Sequence, residues 1–283
     1  DHDKPFGLSG ILKTPEGAYL LFIIGQRSIW HVSSNLKTLT EIPFSSSLPV
    51  EKSHVHYFSK ILSQHNNKAY VLSDGNIFKL NIEKRDFKKI HFADTYTMTG
   101  LFYKDHIITH TNDELLFIDT AACSIYKRVR LENTSLVRCF NEGPANKIYV
   151  GSNNGIFEID SLGKKIKHIT TSDGLPDACI YAIETDSNAT LWCSSNKGLF
   201  SLNDKGEIFQ LRKADGLQEN EFNTNVSAKT ADGELYFGGI NGVSSFYPQN
   251  LGRYQEKINI LVTGIKVNNE NAFPDTASWN INT

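Results

Sequence analysis

Ile148–Asp160 reads IYVGSNNGIFEID, and Leu191–Asn203, 43 residues on, reads LWCSSNKGLFSLN. Each copy opens on an aromatic, Tyr149 or Trp192. A small polar turn follows, Asn153-Asn154-Gly155 or Asn196-Lys197-Gly198. An alternating apolar run closes each, Ile156 to Ile159 or Leu199 to Leu202. Two short strands around an Asn/Gly turn predict a β-hairpin, because such turns need residues that tolerate positive φ. A hairpin that returns at a fixed interval predicts a repeat architecture.

Anchoring on one third-strand residue per unit gives Trp30, Phe78, Phe117, Phe157, Phe200 and Ser244, at intervals of 48, 39, 40, 43 and 44 residues. Six units therefore lie in register. The second unit divides into strands Tyr57 to Gln64, Lys68 to Ser73, Ile77 to Asn81 and Phe87 to Phe92. Its turns are His65-Asn66-Asn67 and Asp74-Gly75-Asn76. The other units divide likewise, with fifth-unit strands Ile180 to Glu184, Leu191 to Ser194, Gly198 to Leu202 and Glu207 to Leu211. Four antiparallel strands per unit, with no helical period, predict an all-β fold, a β-propeller of four-stranded blades. One blade cannot bury both its faces, so blades stack and share their cores. A β-sandwich would not need so constant a period. The sixth unit stops after three strands, Val226 to Lys229, Glu234 to Gly238 and Gly242 to Tyr247, where Pro248-Gln249-Asn250 breaks the pattern. The expected boundaries are residues 1–250 for the propeller and 256–283 for the opening strands of a second, small β domain.

Composition narrows the function. Lys and Arg number 29 against 31 Asp and Glu, and no basic block suggests a nucleic-acid groove. No apolar run approaches the roughly 18 residues of a membrane span, and no signal peptide opens the chain. Its abrupt polar ends suggest a piece excised from something larger. The four cysteines form no CxxC pair, and Cys139 and Cys193 sit in apolar runs as small hydrophobes. His54 and His56, like His106 and His110, share a strand face, but neither pair has a third metal ligand nearby in sequence. The nucleophile-elbow, zinc-protease and phosphate-loop motifs are absent. Thr185 to Trp192 is similar to the Asp-box turn of sialidase propellers, which is structural. A sialidase would need clustered arginines, and Arg128, Arg130, Arg138 and Arg212 show no arrangement in sequence.

In an up-and-down blade the second-to-third-strand turns and the links to the next blade lie on one face. That face gathers Asp74, Asn153, Asn154, Asn196, Lys197 and Asn241, with the long links Thr171 to Cys179 and Ala214 to Thr224. Scaffold loops of this kind host function. Asp177, Asn220, Glu221, Asn223 and Asn225 offer short polar groups beside Phe222 and Tyr181, a mixture suited to sugar hydroxyls and apolar sugar faces. These seven are the candidate ligand-binding residues.

The links also carry Asp173-Gly174-Leu175-Pro176 and Asp215-Gly216-Leu217-Gln218. Downstream of them come Leu191-Trp192-Cys193-Ser194-Ser195-Asn196-Lys197-Gly198-Leu199 and Leu235-Tyr236-Phe237-Gly238-Gly239-Ile240-Asn241-Gly242-Val243. This pattern resembles the two-component-regulator propeller repeat. Ile258 to Glu270 resembles the first strands of the triple-tyrosine β-sandwich that follows such propellers. The resemblance covers about Leu136 to Asn269 and weakens in the first three units.

The resemblance implies the periplasmic sensor region of an inner-membrane hybrid two-component histidine kinase. Its implied ligand is an oligosaccharide from a complex polysaccharide, and its implied output is transcription of utilisation genes. Its partners would be an upstream propeller and the downstream sandwich of the same receptor, with a homodimer in the intact protein and no nucleic acid bound by this fragment. The fragment itself would carry no catalytic, metal or cofactor site. The family's rings have seven blades, which leaves two readings, a six-bladed ring or a seventh blade partly outside the chain. A protein-interaction propeller and a carbohydrate-active enzyme are the alternatives; the enzyme needs two carboxylates roughly 5–9.5 Å apart in one cleft.

Overall fold

A computed structural model describes residues 8–23, 28–43, 58–65, 68–73, 76–84, 86–91, 99–133, 136–251, 266–267 and 270–271. The chain divides into two units, Asp1–Pro248 and Gln249–Thr283. In the first unit, β1 (Leu8–Lys13), β2 (Tyr19–Ile23), β3 (Ser28–Val32) and β4 (Leu39–Pro43) form the first sheet. The second holds β5 (Phe58–His65), β6 (Lys68–Ser73), β7 (Asn76–Asn81) and β8 (Asp86–His91). The third holds β9 (Gly100–Tyr103), β10 (His106–His110), β11 (Glu114–Asp119) and β12 (Ser124–Arg130). The fourth holds β13 (Val137–Glu142), β14 (Lys147–Ser152), β15 (Gly155–Asp160) and β16 (Lys165–Ile169). The fifth holds β17 (Ala182–Thr185), β18 (Leu191–Ser195), β19 (Gly198–Leu202) and β20 (Ile208–Leu211). The sixth holds β21 (Phe222–Lys229), β22 (Leu235–Gly239) and β23 (Gly242–Phe246).

Every sheet is an antiparallel meander whose spatial order follows the sequence. The first strands of successive sheets lie side by side, β1 on β5, β5 on β9, β9 on β13, β13 on β17 and β17 on β21. This is a β-propeller, and its described residues hold six blades. The sixth sheet has three strands among the described residues. In the second unit, β24 (Lys266–Val267) pairs with β25 (Glu270–Asn271). The rest of the expected sandwich opening, the turn residues Asp74 and Gly75, and His54 and His56 lie outside the described residues.

The apolar core is a series of interblade cores. One joins Leu20 and Phe22 of the first blade to Val71 and Phe78 of the second. The next joins Leu72 and Ile77 to Ile107 and Ile118. Phe117 then meets Val150 and Phe157, and Ile156 meets Cys193 and Phe200. Middle strands are covered on both faces, which is why β14, β18 and β19 are buried at nearly every position. The fourth strands are more exposed, and β12 alternates with one face toward solvent. Each aromatic buried between blades is worth roughly 1.5–3 kcal/mol of transfer free energy.

The anchor series has a structural counterpart in the second to fifth blades and an exchange in the first and sixth. In the first, Trp30 is half-buried and the core ring is Phe22 of β2, opposite Ile29. Phe78, Phe117, Phe157 and Phe200 are buried, and across the ladder stand Val71, Ile108, Val150 and Cys193. Each pair sets one ring against a smaller side chain. In the sixth blade the order reverses, with Phe237 opposite Ser244. The ring volume moves to the second strand. The buried Ser244 hydroxyl accepts a hydrogen bond from the Gln218 amide at 3.0 Å, so the small residue also ties down the incoming link.

His110 is a buried polar group at the junction of the third and fourth blades. It is 2 % exposed, and its ring lies 6.4 Å from that of Phe140. Nδ1 is 2.7 Å from the Thr111 carbonyl, while Nε2 is buried without a partner among the described residues. Burial lowers its pKa below the ordinary value, and the Thr111 hydrogen bond opposes the shift. Folding therefore favours the neutral ring. Its contribution to stability is fully present above the unfolded pKa of about 6.5 and is lost as pH falls from there through the lowered folded value. Urea denaturation across pH 4 to 8 tests this. The stability difference between the native protein and His110→Leu is expected to stay flat above about pH 6.5 and to shift against the native protein below it. A difference independent of pH would contradict the assignment.

Candidate functional site

The face carrying the second-to-third-strand turns is built by backbone hydrogen bonds that cross from one blade to the next. Gly155 and Gly198 adopt φ of 87° and 98°. A Cβ on either would sit 2.1 Å from a carbonyl oxygen, that of Ile169 or Leu211, so both conformation and space require glycine. In each turn a fully buried serine braces the loop. Ser152 Oγ donates to the Gly155 carbonyl and accepts from the Asn154 amide. Ser195 repeats this with Gly198 and Lys197. The glycine amides then hold the incoming link of the next blade, Gly155 N to Ala178 O at 2.6 Å and Gly198 N to Asn220 O at 2.8 Å.

The DGL triplets shape those links. Asp173 Oδ2 accepts from the Thr170 amide and Asp215 Oδ2 from the Arg212 amide, each closing a short 3-10 turn. Gly174 and Gly216 end the turns in the left-handed region at φ of 100° and 104°. Leu175 and Leu217 then insert into the interior. Backbone hydrogen bonding holds the Asp173 carboxyl below its ordinary pKa.

A polar cluster lies where these links meet the first strands of the fourth, fifth and sixth blades. Val137 pairs with Ser152 and Cys139 with Gly151, which leaves Arg138 as the extra residue of a β-bulge. The Arg138 guanidinium carbon stands 4.8 Å from the Tyr181 ring centroid. Its Nη1 donates to Thr224 Oγ1 at 2.9 Å. The Tyr181 hydroxyl donates to Asn196 Oδ1 at 2.7 Å, and its carbonyl accepts from the Asn225 amide at 2.7 Å. Asn225, at φ 59°, lies in a second and larger register shift between Phe222 and Ser227. Desolvation raises the Tyr181 pKa, and the neighbouring Cys179 thiol adds to the rise. Further along the same strands, Ser227 Oγ donates to Glu184 Oε1 and Thr185 Oγ1 donates to Asn141 Oδ1. The first strands of these three blades are thus bound to one another by side chains along their length.

Of the seven candidates, Tyr181 belongs to the cluster through its side chain and Asn225 through its amide. Asp177 Oδ1 accepts from the Cys179 amide at 2.7 Å, and Asn220 Oδ1 from the Lys213 amide at 2.8 Å, so both shape links. The Glu221 and Asn223 side chains are exposed. Phe222 is a correction: it lies in the core, 2 % exposed and edge-on to Phe237, and presents no aromatic surface to a ligand. Arg138, Thr224 and Asn196 complete the cluster. A signal for Arg138 stands in Val137-Arg138-Cys139-Phe140, where a charge followed by two apolar residues breaks the strict alternation of a strand.

Two other motifs resolve as structure. Asp186 accepts from the Asn188 and Thr190 amides and from Trp192 Nε1, so the Asp-box-like segment is a braced turn. His106 and His110 are four residues apart on an extended strand, about 13 Å, and do not converge; the His106 ring packs tilted against Tyr126 instead. Cys139 and Cys193 are buried in the interblade core, and burial pushes the Cys193 thiol well up.

No family model matches the chain. A "Histidine kinase P4" of Formosa agariphila is 33 % identical over 100 residues, covering 35 % of this chain and 7 % of that protein. Among solved structures, the extracellular domain of a putative hybrid two-component system from B. thetaiotaomicron superposes with a TM-score of 0.70. It is 17 % identical, over 86 % of this chain and 34 % of that one. Virginiamycin B lyase from Staphylococcus aureus superposes at 0.64 with 15 % identity, over 87 % and 86 % of the two chains. The extracellular domain of a putative one-component system from B. thetaiotaomicron superposes at 0.51 with 12 % identity, over 86 % and 38 %. The chain thus spans a small part of the curated relative and about a third of the hybrid-system domain.

Gly198 gives a direct check on how this face is built. Gly198→Ala is expected to cost about 1–3 kcal/mol and to loosen the Asn220 link. Gly206 has φ of 81°, and a Cβ there would meet nothing within 4 Å, so Gly206→Ala carries only the conformational cost of about 1 kcal/mol. Equal losses in urea denaturation would contradict the crowding at Gly198. The propeller fold is shared with extracellular domains of two-component and one-component systems and with a lyase, and 100 residues of the chain are similar in sequence to a histidine kinase.

Proposed function

We propose that this propeller is the ligand-sensing part of a hybrid two-component sensor histidine kinase. It sits in the periplasm as part of an inner-membrane receptor and recognises an oligosaccharide at the cluster of the fourth to sixth blades. The observation that carries this reading is the Arg138–Tyr181–Thr224–Asn225 constellation, in which three blades meet through polar contacts on the loop-bearing face. The sequence similarity to a histidine kinase and the fold shared with extracellular two-component domains support the receptor context.

A ligand held there would touch three blades and so oppose their relative movement. It shifts a signalling equilibrium only by its differential affinity for the two arrangements. The downstream sandwich and a second receptor copy would carry that difference toward the membrane, and transcription of glycan-utilisation genes would be the output. The fragment's role in this scheme is binding rather than catalysis.

Thermal unfolding with a panel of neutral and acidic oligosaccharides tests the reading. At a hundredfold excess over Kd a ligand adds about 2.7 kcal/mol to stability, a clear rise in Tm. At least one glycan is expected to raise Tm in the native protein and to lose that effect in Tyr181→Ala. No rise with any glycan, or a rise unchanged in Tyr181→Ala, would overturn it.

A further inference from the structure

We infer that Arg138 is an anion-recognition point, and that the ligand of this face is an acidic sugar bearing a carboxylate or sulfate group. The inference rests on the proposed sensing role and adds the chemical class of the ligand. Three independent features of the structure meet at this side chain.

The first is backbone placement. Arg138 is the extra residue of the bulge between Val137 and Cys139. A bulge re-aims one side chain out of the regular alternation of a strand. Here it takes a charged residue set between the apolar Val137 and Cys139 and delivers it against Tyr181 and Thr224 of two other blades.

The second is the state of the guanidinium. It carries five N–H donors. Among the described residues only Thr224 Oγ1 accepts from it, no carboxylate lies within ion-pair distance, and Nε is buried without an acceptor. Among the other described arginines, Arg128 pairs with Glu114 and Arg130 with Asp113, while Arg212 donates to Gln210 and is exposed to solvent. A buried donor left unpaired is costly, and a cation held without a counter-charge more so. An oxyanion on the Nη edge supplies the missing counter-charge, because the planar guanidinium matches two oxygens of a carboxylate or sulfate.

The third is preorganisation. The Tyr181 ring supports the guanidinium, Asn196 fixes the Tyr181 hydroxyl, and the Asn225 amide fixes the Tyr181 carbonyl. Asn225 is held in the left-handed region to do so. Strain of this kind persists where surrounding structure enforces it, and it gathers at ligand sites. The arginine is therefore held in place before any ligand arrives.

The test uses the native protein, Arg138→Gln and Arg138→Lys. Millimolar sodium sulfate, compared with sodium chloride at equal ionic strength, probes the anion site without presuming a sugar. The unfolding midpoint should rise with sulfate in the native protein, less in Arg138→Lys, and not in Arg138→Gln. The absence of a sulfate-specific rise in the native protein, or an equal rise in Arg138→Gln, overturns the inference. Arg138→Lys guards against a folding defect in the neutral variant, since it keeps the charge and loses the fork. In parallel, calorimetric titration with trigalacturonate, a sulfated chondroitin disaccharide and neutral galactotriose identifies the source of the oxyanion. An acidic probe should bind at least about tenfold more weakly to Arg138→Gln, and whichever acidic probe binds names carboxylate or sulfate. Galactotriose binding as tightly as the acidic probes would overturn the anion inference and leave the sensing role standing. A sulfate response without any glycan binding would uphold the anion site and count against the sugar.

Discussion

Two backbone hydrogen bonds, Gly155 N to Ala178 O and Gly198 N to Asn220 O, join one blade's turn to the next blade's incoming link. A blade cannot bury its two faces alone, so each depends on its neighbour's position. These bonds, with the buried serines behind them, set that position at the loop-bearing end. They also explain where the fifth blade begins. Ile180 still donates to Ser152 of the fourth blade, and Tyr181 is the first residue to bond to the fifth, through Ser194. Tyr181 thus sits at the seam between two blades, where a side chain reports on their relative placement.

The repeat was legible in the sequence because the same physical demand recurs from blade to blade: one ring between sheets, a smaller partner across the ladder and, in the fourth to sixth blades, a glycine in the turn. Phe78, Phe117, Phe157 and Phe200 meet that demand on the third strand, and their spacing marks the blades. Ser244 breaks the series because ring volume can be supplied from either strand, and Phe237 supplies it there. Counting third-strand anchors finds the blade and misses its core residue. The DGL triplets were legible as a family mark; their reason, a carboxylate cap, a left-handed glycine and a buried leucine, needs coordinates.

The site was less legible than the fold. Neighbours in sequence such as Asn220, Glu221 and Phe222 diverge in space, one into a link, one to solvent and one into the core. Arg138, Tyr181 and Thr224 come from three blades and meet only because the strands converge. A bulge compounds this, since it changes the direction of one side chain while leaving the surrounding strand intact. Only the slipped alternation at Val137 to Phe140 marks it in the sequence.

The central claim is that this face is a rigid assembly of three blades, built by cross-blade backbone bonds before any ligand binds. Native-state hydrogen exchange of individual amides measures that directly. The account predicts that the amides of Gly155, Ile180, Gly198 and Asn225 exchange as slowly as strand amides such as Val150 and Phe200. Exchange at the rate of exposed turn amides, with the strands still protected, would contradict it and leave the loops as independent segments on a propeller.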